Sequence, residues 1–250
     1  MIPLAFWAIY AGGAWFQGMA VISAAIMAWE WEQLCCKRFS PAGMLLAVGG
    51  IGAALLGGSH PLWVWALLFS VLVCLGGFWF TRRRDNVVWL VVGAFYITLP
   101  ILALTWLRLD ADNGLDLTLW LFVSVWATDT GAYVCGRTIG GPKLMPKVSP
   151  NKTWAGAIGG IIWTMMVGGL YAVWSNHSVV GLVVCSIALS LIAQAGDLWE
   201  SWVKRRFGVK DSSGLIPGHG GLLDRVDGLL SAGLFVAILC VLREENIFLW

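Results

Sequence analysis

Polar positions cut this chain into long apolar runs. Runs near the roughly 20 residues that a helix needs to cross a bilayer fall at 13–35, 42–58, 61–80, 87–107, 115–135, 154–175, 179–200 and 226–243. A further apolar piece, 2–11, is too short to span alone. It reads either as a half-span or as the front of one long tilted helix. The pattern therefore predicts an all-α, polytopic integral membrane protein with eight or nine transmembrane helices. No solenoid-length repeat and no low-complexity linker interrupts it, so one integrated membrane domain is expected. Within it, 1–110 would be an N-terminal set of scaffold helices facing lipid or a dimer partner. Residues 111–250 would be a catalytic set with cytoplasmic loops 136–153 and 201–226.

Composition agrees with the pattern. Of 250 residues, 59% are hydrophobic and only 12% charged, with 17 Trp and a mean hydropathy of +0.79. A soluble domain carries about twice that charged fraction. The six cysteines form no CxxC pair and sit mostly in apolar runs, where they read as small hydrophobes. No basic segment precedes the first apolar run, so no cleavable signal peptide is expected.

The placement of charge adds orientation. Of the 16 Lys and Arg, all but Arg108 and Arg243 lie in the segments after 35, 80, 135 and 200. These alternate correctly with the spans and are expected to face the cytoplasm. Asp110, Asp112 and Asp116 mark an opposite, outward loop. Trp63, Trp65, Trp106 and Trp120 lie near span ends, as an interfacial aromatic belt predicts. Glu30 and Glu32, in Trp29-Glu-Trp-Glu, read most simply as interfacial residues; a contact to the catalytic loops is the alternative. Gly156, Gly159, Gly160, Gly168 and Gly169 are expected to let helices approach closely.

Four constellations carry candidate chemistry. In Thr128-Asp-Thr-Gly-Ala-Tyr133, Asp129 lies inside an apolar run near its cytoplasmic end. A carboxylate there should be paired, metal-bound or turned to a polar cavity; bonding to a neighbouring Ser or Thr is the structural alternative. In Gly140 to Trp154, prolines and glycines predict an irregular loop. Ser149 and Thr153 stand before a helix whose N-terminal N–H groups suit an anion, and Lys152 adds a cation. An ordinary helix cap with topology-setting lysines would explain the same residues.

In Gly196-Asp-Leu-Trp-Glu-Ser, Asp197 and Glu200 share one helix face, and Ser201 follows Asp197 by one turn. Hard oxygen ligands of this kind suit Mg2+. The fourth constellation, Ser201 to Gly228, packs Lys204, Arg205, Arg206, Lys210, Asp211, His219, Asp224, Arg225 and Asp227 around Gly214, Gly218, Gly220 and Gly221. Asp224 and Asp227 again share a face, at a helix start where negative charge is favoured.

That last stretch resembles the signature of the phosphatidate cytidylyltransferases, or CDP-diacylglycerol synthases: S-x-apolar-K-R-x4-K-D-x-small-x2-apolar-P-x-H-G-G-apolar-x-D-R-apolar-D. Every fixed position is met between Ser201 and Asp227. The motifs from Asp129 to Arg137, Ser149 to Thr153 and Gly196 to Ser201 resemble further family motifs, in the family's order. Ala155 departs from the polar residue common after the Lys-Thr pair.

The resemblance implies transfer of CMP from CTP to phosphatidic acid, with Mg2+ and a possible second cation, K+. It implies Asp197 and Asp224 as metal ligands, to which Asp129 is added as a candidate. Asp197, Asp224, Lys204 and Asp227 would be catalytic. CTP would meet Ser149, Lys152, Thr153, Ser201, Lys204, Arg205, Lys210, Asp211, His219, Gly220, Gly221 and Arg225. A homodimer in a bacterial inner membrane is expected, with its site facing the cytoplasm and no nucleic-acid partner.

Overall fold

A computed structural model describes residues 2–56, 84–109, 111–218 and 220–243. The expected span 61–80, Asp110 and His219 lie outside these residues. The described chain is mostly helical, with one short hairpin and a non-helical segment before the last helix. Helices α1 (Ile2–Ala11), α2 (Gly13–Cys36), α3 (Pro41–Leu56), α4 (Arg84–Leu109) and α5 (Gly114–Thr138) come first. Strands β1 (Lys143–Met145) and β2 (Ser149–Thr153) follow, then α6 (Trp154–Ser175), α7 (Val179–Arg206) and α8 (Leu223–Arg243).

Among the described residues, four stretches are long and apolar enough to cross a membrane: Val87–Leu109, Trp154–Ser175, Val179–Arg206 and Leu223–Leu242. With α3 as a shorter apolar helix, they make this an all-α integral membrane protein. Helices α2 and α5 have the length of a span, at 24 and 25 residues, but carry buried or charged polar positions such as Glu30, Glu32, Asp116 and Asp129.

The chain divides into two compact units. One comprises Met1–Leu115 with Phe207–Val226, the other Asp116–Arg206 with Asp227–Trp250. In the first unit, α2 packs on α3 and α4. Trp31 is the central peg: it is 1% exposed, its Nε1 donates to Trp89 O at 2.8 Å, and its ring lies 5.4 Å from Tyr96. A Cβ on Gly93 would overlap the Trp31 indole, so a glycine is needed there.

Residues 2–11 form a helix of their own. The chain breaks at Gly12 and Gly13, with φ +61° and +46°, values open to glycine at little steric cost. Arg108 Nε donates to Ile9 O at 2.7 Å and so satisfies a carbonyl at the end of α1. The two glutamates are turned into the protein. Glu30 and Glu32 are buried, at 0% and 2% exposure. Glu32 accepts from Ser40 N and Oγ just before α3.

In the second unit, glycines bring α5, α6 and α7 together. A Cβ on Gly131 would meet Trp163, one on Gly159 would overlap Cys135, and one on Gly168 would overlap Ser186. Thr128 and Thr164 bond at 2.6 Å across the α5–α6 contact. Gly159→Val is expected to force these helices apart and cost about 1–3 kcal/mol. Among the described residues, a Cβ on Gly169 meets only Val183 Cγ2, at 3.5 Å, so Gly169→Ala should leave stability near that of the parent. Thermal unfolding in detergent reads both.

Three features differ from those the sequence pattern predicts. Trp106 and Trp120 are not belt residues: both are buried, and Trp120 Nε1 donates to Ser186 Oγ at 3.2 Å. The loop after α5 contains an antiparallel hairpin, pairing Lys143 with Thr153 and Met145 with Ser149. Pro150 fits because a two-stranded ladder leaves one side of each strand unpaired. Helix α7 runs to Arg206 rather than ending near 200. Lys204, Arg205 and Arg206 in its last turn favour the negative end of the helix dipole, and Lys204 pairs with Glu200 one turn earlier.

Candidate active site

In the second unit the expected residues gather at the end of α7. Asp197 pairs with Lys152 on β2 and accepts from Ser201 Oγ at 3.4 Å. Glu200 is fully buried, and its Oε2 binds Lys204 Nζ at 2.8 Å. Lys204 itself is only 8% exposed. From α8, Asp227 stands close enough to Asp197 and Glu200 to feel their charge, and its Oδ1 accepts from Gly228 N at 2.7 Å. Gly196 makes this crossing possible, since a Cβ there would overlap Ser231 Oγ on α8.

The hairpin positions Lys152. Arg205 Nε donates to Val148 O at 3.2 Å, tying the β-turn to α7. Thr153 caps α6, its Oγ1 accepting from Gly156 N at 3.1 Å, which is the ordinary helix cap that was the alternative to an anion site. Ser149 is half-buried on β2. Asp129 lies on an exposed part of α5.

In the first unit, residues 207–222 form a folded segment. Ile216 N donates to Gly220 O at 2.8 Å, closing a tight turn through Gly218 at φ +75°. Asp224, in the first turn of α8, gathers this segment. Its Oδ2 accepts from Gly221 N at 2.7 Å, and from Ser212 N and Ser212 Oγ at 2.9 Å each. Gly220, at φ +82°, has no room for a side chain, because its Cβ would stand 2.6 Å from Asp224 Oδ2. Lys210, Asp211 and Arg225 are exposed.

Phe207 opens the segment with an edge-on ring contact to Trp89 at 5.0 Å. Glu30 closes it, accepting from Ser213 Oγ at 2.6 Å and from Leu222 N and Leu223 N at 2.8 Å each. Of the contact to the catalytic loops that was the alternative for both glutamates, the structure shows for Glu30 the bonds to residues 213, 222 and 223. Its sequence signals were a carboxylate close to an apolar run and the family-like Trp29-Glu30-Trp31 element.

Among the described residues, no three His, Cys, Asp or Glu side chains converge as ready metal ligands. The donor chemistry still fits Mg2+. The carboxylates are hard oxygen donors with lysines beside them, and Mg2+ is commonly held by one or two carboxylates plus substrate phosphates and water.

A model of the cytidylyltransferase family matches residues 1–243. The chain belongs to this family. It is 40% identical over 258 residues to the phosphatidate cytidylyltransferase of Brucella suis biovar 1, covering 96% of this chain and 89% of that protein. The Rickettsia prowazekii protein of the same name is 37% identical over 185 residues, covering 68% of this chain and 81% of that protein. The Haemophilus influenzae one is 49% identical over 129 residues, covering 49% and 45%. Since the family model spans both units, Glu30 and Asp224 in one and Asp197 and Lys204 in the other all belong to the matched cytidylyltransferase region.

Proposed function

We propose that this enzyme transfers CMP from CTP to phosphatidic acid, giving CDP-diacylglycerol and pyrophosphate. The observation that carries the reading is the cluster of Asp197, Lys152, Glu200, Lys204 and Asp227 at the end of a membrane-length helix, in a chain 40% identical over nearly its whole length to a phosphatidate cytidylyltransferase.

Phosphatidate is anionic at neutral pH and needs little help from a base. One of its phosphate oxygens attacks the α-phosphorus of CTP in line, the bond to the bridging oxygen breaks, and pyrophosphate leaves with the electron pair. The barrier is the approach of two polyanions and the charge developing on the leaving group, so positioning and electrostatics supply the catalysis.

Lys152 and Lys204 are assigned to the triphosphate. They neutralise Asp197 and Glu200, and with CTP bound they would exchange carboxylate for phosphate oxygens. Ser201 orients Asp197 through its hydroxyl. Lys210, Arg225 and the Gly220-Gly221 backbone are assigned to CTP from the glycine-rich segment. Asp197 and Asp224 are the residues assigned to Mg2+. When bound, the ion would neutralise phosphate oxygens and favour departure of pyrophosphate.

The cation-rich segments are assigned to the cytoplasmic face by the positive-inside rule, in an eight- or nine-span topology. CTP would then arrive from water and phosphatidate from the bilayer. Purified protein in lipid, given CTP, phosphatidic acid and Mg2+, is expected to release pyrophosphate and form a CMP-bearing lipid. Folded protein that makes neither product would overturn the assignment.

A further inference from the structure

The segment 207–222 is held at one end by an aromatic contact and at the other by a buried charge. That charge comes from α2, far away in sequence. Glu30 is completely buried and has three donors around it: Ser213 Oγ, Leu222 N and Leu223 N. Leu222 and Leu223 stand where α8 begins. Their apolar side chains cannot cap the helix, so its first N–H groups need an outside acceptor. Glu30 supplies it, and a carboxylate at this end is also favoured by the helix dipole.

The fit is tight. A Cβ on Gly221 would run into both Ser212 Oγ and Glu30 Oε1. Trp31, the next residue on α2, is pegged to α4 through Trp89, on which Phe207 also packs. The clamp therefore rests on a packed α2–α4 pair.

We infer that Glu30 is a positioning residue: it caps α8 from α2 and thereby fixes the segment that presents Asp224. This rests on the proposed reaction, in which Asp224 is assigned to the metal. Glu30 touches no reacting group; it acts through the backbone of Leu222 and Leu223. Because a small misplacement remote from the chemistry costs about 100-fold, the glutamine variant is expected to lose rate rather than substrate affinity.

The test uses the full chain in lipid nanodiscs, comparing Glu30→Gln and Ser213→Ala with the parent. Amide exchange across 211–223 and the kcat and KM for CTP are read in each. Glu30→Gln should speed exchange in that segment by about tenfold, the loss of one charge-assisted bond, and lower kcat by about 100-fold with KM little changed. Ser213→Ala removes one donor and should shift both readouts the same way, less far; it decides the matter if Glu30→Gln fails to fold. Unchanged exchange in 211–223 would overturn the inference. So would faster exchange with parental turnover, which would make Glu30 purely structural. If the parent itself forms no CDP-lipid, the reaction assignment fails separately, and the exchange data still decide whether Glu30 fastens the segment.

Discussion

Asp224→Asn should reduce turnover by about 10³-fold, the scale of losing a preorganised charge at a phosphoryl-transfer site, while the protein still folds. The structure explains why folding survives. Asp224 Oδ2 collects Gly221 N, Ser212 N and Ser212 Oγ. An asparagine can turn its amide oxygen to the same donors and keep the segment in place. What it cannot keep is the negative charge that the assigned Mg2+ requires. Turnover should therefore collapse with melting behaviour close to the parent's. Near-parental turnover would remove Asp224 from the metal site. A collapse of folding together with turnover would make it a loop-fastening residue only.

Lys204→Met should be the most destabilising single change in the cluster at the end of α7. Lys204 is buried against a fully buried Glu200. Removing one partner of a buried pair leaves an uncompensated charge and costs about 3–5 kcal/mol. The double variant Lys204→Met/Glu200→Gln takes away that charge and should regain most of the stability. It should not regain turnover, because the cation assigned to the triphosphate is gone. Thermal unfolding and pyrophosphate release, measured on both variants, separate the two effects. Recovery of both would reduce Lys204 to a structural counter-ion. A single variant as stable as the parent would contradict the buried pair itself.

The sequence made the helices legible where its own punctuation was strong. Helix α6 was expected at 154–175 and is found there, capped by Thr153 at one end and closed by Asn176 at φ 58° at the other. Asp197, Glu200 and Ser201 were expected on one face of a helix end, and the Ser201–Asp197 bond follows from that spacing. Local periodicity and capping chemistry suffice for such features.

What sequence left obscure depends on distant partners. Glu30 bonds to residues 183, 192 and 193 positions away, and no local pattern distinguishes that role from an interfacial carboxylate. Trp120 fits an aromatic belt by position but is buried because Ser186 on α7 meets its indole N–H. The stretch from Ser201 onward read as one polar loop. Its first six residues instead continue α7, because charged residues are good helix formers when the last turn of a helix can use their positive charge.

The central claim is that the bond broken in CTP is the one at the α-phosphorus. Two parallel reactions, one with CTP labelled at the α-phosphorus and one at the γ-phosphorus, test it directly with phosphatidic acid and the protein in lipid. The account predicts α-label in the lipid product and γ-label in pyrophosphate. γ-Label in the lipid, with CDP released, would contradict it and identify a CTP-dependent lipid kinase instead.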